Sequence, residues 1–157
     1  MVDTQQVVLD YMEMPDLPIV EIKGLLPLVT KIPPLGEVWE RDDLAAAIMI
    51  LDQLAFMDNS ETPDKPLLRE IDRIDVSNFN GRHDSRQAHI ILYTKDNIEI
   101  IWGAEMGKWQ QHLELSDEEK LASLYSYYKD YGTLSGGVKF INLRDPRDNI
   151  PLPIDKY

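Results

Sequence analysis

HIILYTKDNIEIIWG, residues 89–103, is the stretch on which the fold turns. Two runs rich in β-branched and aromatic residues, 89–94 and 97–103, are separated by little more than Lys95-Asp96-Asn97. Such runs joined by so short a polar turn predict a β-hairpin. On its C-terminal side the chain announces a helix with a capping box. Ser116 is the expected N-cap, Glu119 follows three residues later, and Asp117 and Glu118 complement the positive end of the helix. Leu121, Leu124, Tyr125 and Tyr128 supply an apolar stripe, and Gly132 is placed to end the helix. GVKFINLR, 137–144, predicts one more strand, followed by a turn at Asp145-Pro146 and a tail punctuated by Pro151 and Pro153.

On the N-terminal side, LLREIDRIDVSN predicts a strand from 67 onward. Ile71 and Ile74 are three apart, which breaks the two-residue alternation and predicts a bulge. Phe79 to Arg82 reads as a turn. DDLAAAIMILDQLAFM, 42–57, predicts a helix capped by Asp42 or Asp43 and apolar almost all round, hence buried against a sheet. A polar linker is expected over 58–66. Before the helix, VVLDY and LPIVEIKG are short extended candidates broken by Pro15 and Pro18, and LPLVTKIPPLG, 26–36, reads as a fixed loop. The order is strands, helix, three strands, helix, strand. It predicts one α+β domain over 1–157, with an antiparallel or mixed β-sheet and two main helices packed on one face.

The formal charge is -12, and the excess lies in the first half, at -10 through Asn80 and -2 beyond. A field of that sign repels phosphate backbones and anionic lipid, so nucleic acid is an unfitting partner. The chain has no cysteine, hence neither a disulfide nor a thiolate ligand or nucleophile. No run approaches the roughly 18 apolar residues of a membrane span, and the first residues lack the pattern of a secretory signal.

Catalytic patterns are equally thin. His83, Asp84 and His89 could in principle share a metal, but the histidines fall on a loop and a strand start with no HExxH. His89 is expected to point to solvent or to satisfy a local hydrogen bond, and His83 to lie on a loop surface. Ser135-Gly136-Gly137 lacks the nucleophile-elbow pattern, and Gly103 and Gly107 match no phosphate-binding loop. No cofactor is called for, and the expectation is a non-catalytic protein. Four tyrosines in LYSYYKDY, 124–131, exceed what one buried stripe accommodates, so Tyr127 or Tyr131 is expected to be partly exposed.

Six segments in order carry a family likeness: LPLVTK (26–31), LAAAIMILDQL (44–54), REIDRIDVSNFNG (69–81), HIILYTKDNIEIIWG (89–103), EKLASLYSYYKDYGTL (119–134) and INLR (141–144). Together they resemble the extracytoplasmic β-domain of the bacterial cell-division family FtsQ/DivIB, in its planctomycete-like version, over residues 7–150. Asn142 stands where the family has aspartate, and Lys31 where it has glycine. The resemblance implies a divisome scaffold on the periplasmic side of the inner membrane, anchored in the full-length protein by a transmembrane helix and preceded by a POTRA domain. It implies partners of FtsB/FtsL type, bound by strand addition near the last strand and the helix before it. Mapped here, that surface comprises Tyr127, Lys139, Asn149, Ile150 and Leu152. Pro151 and Pro153 lack N–H groups, so either they guard the edge against promiscuous pairing or the partner docks on side chains. Alternating Ile150, Leu152, Ile154 and Tyr157 suit either a binding tail or a final edge strand. The alternatives are a free-standing soluble binding or regulatory domain and, less favoured, a small hydrolase. The hydrolase would require a histidine within hydrogen-bond reach of a carboxylate in a concave pocket.

Overall fold

The computed structural model of the chain describes residues 2, 3, 6, 7, 20–25, 34–38, 41–135 and 139–144. Its elements are β1 (Glu21–Lys23), α1 (Asp42–Glu61), β2 (Ile71–Asp75), β3 (Ile90–Thr94), β4 (Glu99–Gly103), α2 (Asp117–Tyr131) and β5 (Phe140–Asn142). Short 3₁₀ segments occupy Leu67–Glu70, Phe79–Gly81 and Trp109–His112. The expected segment VVLDY lies outside the described residues except for Val7, which bridges Val38. Most of 26–36 also lies outside them, as do Asn149, Ile150, Leu152, Ile154 and Tyr157.

The strands form one sheet in the order β1-β2-β3-β4-β5. The hairpin β3–β4 and its neighbour β2 pair antiparallel, whereas β1 and β5 join β2 and β4 in parallel. Four strands therefore run one way and β3 alone runs against them. Each outer strand is reached by a crossover helix, and both crossovers step across the sheet in the same sense. The right-handed rule then puts both helices on the same face. They meet there: the Tyr125 hydroxyl of α2 shares its one proton between the Asp58 carboxylate at 2.7 Å and the Leu54 carbonyl of α1 at 2.8 Å.

Register assembles the core. Ile22, Ile74, Leu92, Ile100 and Ile141 are partners across all five strands, and the last four are buried under Ala47, Ile50 and Leu54 of α1 and Leu121 and Leu124 of α2. Ile71 and Ile74 are both buried because the pairing shifts between Ile71 and Arg73, the expected bulge. The opposite face carries the row Glu21, Arg73, Tyr93, Glu99 and Phe140, with the Arg73 guanidinium 4.2 Å from the Tyr93 ring centre.

Two local expectations change. Residues 67–70 form a 3₁₀ turn rather than the start of a strand. Helix α1 runs on to Glu61, into the first half of the expected linker, because the Asp58 carboxylate ties the helix end to residues 62–68. It accepts from the Thr62 hydroxyl (2.9 Å) and from the N–H groups of Leu67 (2.8 Å) and Leu68 (3.1 Å). The N-cap of α1 is Arg41, with Asp42 and Asp43 inside the first turn. Helix α2 has the reciprocal Ser116–Glu119 box and ends at left-handed Gly132, as expected.

Candidate functional site

Loops after β1, β2 and β4 converge at one end of the sheet, where β3 begins. His89 sits there, only 6% exposed, rather than facing solvent. Its Nδ1 lies 2.9 and 3.0 Å from the two carboxylate oxygens of Glu105, sixteen residues further on. The same carboxylate accepts the N–H of Asn80 at 2.9 Å, holding the left-handed turn after β2 against the loop after β4. Burial pushes the Glu105 carboxyl up, but the Asn80 N–H and the His89 ring outweigh it and hold the group below the usual range. Exposed His112 stacks edge-on to His89, with ring centres 4.8 Å apart.

A histidine held by a carboxylate is half of an acid–base apparatus. Gly81 comes close to the second nitrogen: a Cβ there would lie 3.2 Å from His89 Nε2. His83 is exposed on the loop, and among the described residues no group of three His, Asp or Glu side chains is placed to hold a metal ion. The pair and the Asn80 N–H together tie the loop after β2 to the loop after β4.

A buried ion pair closes the same end. Lys120, with no exposed surface, donates to Glu114 at 2.6 Å and lies 5.2 Å from the Trp102 ring centre. Glu114 also accepts the Ala104 N–H at 3.0 Å. Its carboxylate and the Arg144 side chain occupy the space beside Gly103, where a Cβ would meet both at 2.5 Å. Nothing in the sequence marks these ties, because Lys120 reads as an ordinary first-turn residue of a solvated helix.

The sheet edge at β5 is different in kind. The Leu143 N–H donates to the Ile101 carbonyl at 2.9 Å. Main-chain groups alternate sides along a strand, so those of Ile141 also face β4 and those of Phe140 and Asn142 face away. Beyond them the edge is closed. The Arg144 N–H donates to the Asn142 side chain at 2.9 Å, and the Arg144 carbonyl accepts the Leu115 N–H at 3.0 Å. Among the described residues, the outward groups of Phe140 and Asn142 meet no further strand. Phe140 is 50% exposed, and Lys139 beside it is exposed.

Of the five residues mapped from the family likeness, Lys139 therefore stands on this edge. Tyr127 does not present itself: it is 6% exposed, its hydroxyl is buried without a hydrogen-bond partner, and its ring centre lies 4.6 Å from that of Tyr131. The exposed tyrosine of the pair is Tyr131. Asn149, Ile150 and Leu152 lie outside the described residues. The family likeness does not single out Phe140, although buried Ile141 and Leu143 alternate with it and place it on the outer face.

No family model, no curated protein and no solved structure matches the chain.

Proposed function

We propose that this chain is a non-catalytic recruitment domain of the FtsQ/DivIB kind, which binds cell-division proteins of FtsB/FtsL type by accepting a strand on β5. The observation that carries this reading is the short β5 edge, which pairs with no further strand among the described residues and where Phe140 and Asn142 turn their main-chain groups outward beside an exposed aromatic ring. Strand addition takes affinity from main-chain hydrogen bonds and specificity from alternate side chains. Phe140 supplies the apolar contact and Lys139 a polar rim. The buried polar groups at the loop end are engaged with one another, His89 with Glu105 and Lys120 with Glu114, which favours architecture over catalysis there. A net charge of -12 suits a basic partner surface. None of the described helices is long and apolar enough to cross a membrane. On this reading the anchor is the transmembrane helix that the family carries upstream, and the domain works on the extracytoplasmic side.

The test is a titration of the chain against the paired extracytoplasmic segments of its host's FtsB- and FtsL-like proteins, with Phe140→Ala and Phe140→Pro alongside. Alanine removes only the side chain, whereas proline also removes an N–H that points away from β4, and edge strands tolerate proline. Strand addition predicts that proline weakens binding about tenfold beyond alanine, the equivalent of one main-chain hydrogen bond. Equal losses would move the contact to side chains, and no binding by folded wild type would remove the recruitment function.

A further inference from the structure

Leu113 occupies a position that both its backbone and its surroundings disfavour. It follows the 3₁₀ segment Trp109–His112 with φ 56° and ψ 40°, the left-handed conformation usual for glycine or asparagine, and its side chain is 95% exposed. Single exposed leucines are ordinary on protein surfaces. The combination is not, because glycine here would relieve the backbone and remove the exposed apolar surface together. Strain of this sort in a free domain points to function when the surroundings fix the segment.

They do fix it. The Glu114 N–H donates to the Trp109 carbonyl at 3.0 Å, the Gly107 N–H donates to Asp117 at 2.7 Å, and the Glu114 carboxylate is held by Lys120 and the Ala104 N–H. Leu113 is thus a rigid knob. Its place is equally specific. Leu115, two residues on, donates its N–H to Arg144, the residue at which the β5 edge closes. Two residues span at most about 7 Å, so the knob stands beside the end of the β5 edge.

We infer that Leu113 is the second anchor of the strand that docks on β5, an inference that rests on the recruitment reading above. Two outward residues make too short a ladder to hold a partner alone. A partner segment continuing past Arg144 reaches Leu113 and buries it in an apolar socket. Asp117, Glu118 and Glu119 open helix α2 just beyond, so the socket should carry lysine or arginine on its rim. The same acidic turn, on a chain of charge -12, disfavours an anionic membrane as the occupant.

The experiment compares wild type, Leu113→Gly, Leu113→Asn and, as a control, Phe56→Ser on the exposed side of α1. Each is titrated with the paired FtsB/FtsL-type segments and melted alone. The expected result is a tenfold or greater loss of affinity for both Leu113 variants, none for the control, and a Tm for Leu113→Gly equal to wild type or a few degrees higher. Affinity within twofold of wild type overturns the anchor while leaving the recruitment reading intact. A clearly lowered Tm for Leu113→Gly overturns it in favour of a packing role. Failure of wild type to bind overturns the recruitment reading and the anchor together. Binding of wild type, but not Leu113→Gly, to phosphatidylglycerol vesicles would assign the knob to lipid instead.

Discussion

Replacing Asp58 by asparagine tests whether a buried carboxylate joins the two helices to the sheet. Asp58 is buried and takes four hydrogen bonds: from the Thr62 hydroxyl, the Leu67 and Leu68 N–H groups and the Tyr125 hydroxyl. The Tyr125 phenol is held well above its usual range, first by burial and then by this carboxylate, so it donates and does not ionise. Asparagine offers one acceptor oxygen. Placed at Oδ1 it keeps the contacts to Thr62, Leu67 and Tyr125, but its NH₂ then opposes the Leu68 N–H. The orphaned donor costs ~1–3 kcal/mol, and the three retained bonds lose their charge assistance, for about another 1 kcal/mol. Relief of charge desolvation acts the other way. It does not win, because the Leu67 and Leu68 N–H groups are fixed beside the core, although the Tyr125 hydroxyl keeps the Leu54 carbonyl as a second acceptor. The net expectation is ~2–3 kcal/mol lost, or about 5–10 °C in Tm for a chain of this size. Urea unfolding at pH 7 measures it, with exposed Asp52→Asn on the same helix as control, expected within about 0.5 kcal/mol of wild type. If the two substitutions cost the same, Asp58 is not the joint described.

Glu105→Gln should lower stability by ~1–3 kcal/mol at pH 7. The folded carboxyl titrates below its unfolded value, so its contribution is present above the unfolded pKa and is lost as pH falls through the folded one. Urea midpoints for wild type and variant should therefore converge as pH falls below the ordinary carboxylate range, and a gap independent of pH would contradict the His89–Glu105–Asn80 tie. Gly24→Ala should be costlier. Its φ is +84°, and the new Cβ would lie 2.4 Å from the Ser77 nitrogen, so left-handed strain and a backbone clash together cost about 2–5 kcal/mol. A melting curve unchanged by that substitution would refute the close approach of the β1 exit to the β2 exit.

Residues alone reveal what is local. The hairpin over 89–103, the Ser116–Glu119 box, the Gly132 stop and the Ile71/Ile74 bulge are each dictated by neighbours a few positions away, and all four are present in the structure. The end of α1 is not legible in this way, because Asp58, Asn59 and Ser60 are weak helix formers and the acceptor needed by Leu67 and Leu68 becomes visible only in three dimensions. Leu67 and Leu68 read as strand because their apolar character does not say which period they obey. The β1–β2 and β4–β5 pairings are parallel and span whole helices, so no short-range pattern specifies them. At the candidate edge, the family likeness points to β5 through Lys139. It also selects Tyr127, which faces the core, since a helix with four tyrosines does not announce which of them the sheet covers. His89 and Glu105 are sixteen residues apart on different loops, and Leu113 differs from any other exposed leucine only in its backbone angle.

Amide hydrogen exchange at Phe140 and Asn142, with and without the paired FtsB/FtsL-type segments, reads directly whether β5 accepts a partner strand. In the free domain these two N–H groups face away from β4 and should exchange fast, while Ile141 and Leu143 exchange slowly. Strand addition predicts that saturating partner slows Phe140 and Asn142 at least tenfold and changes Ile141 and Leu143 little. Unchanged exchange at those two amides under saturating partner would rule out strand addition on β5.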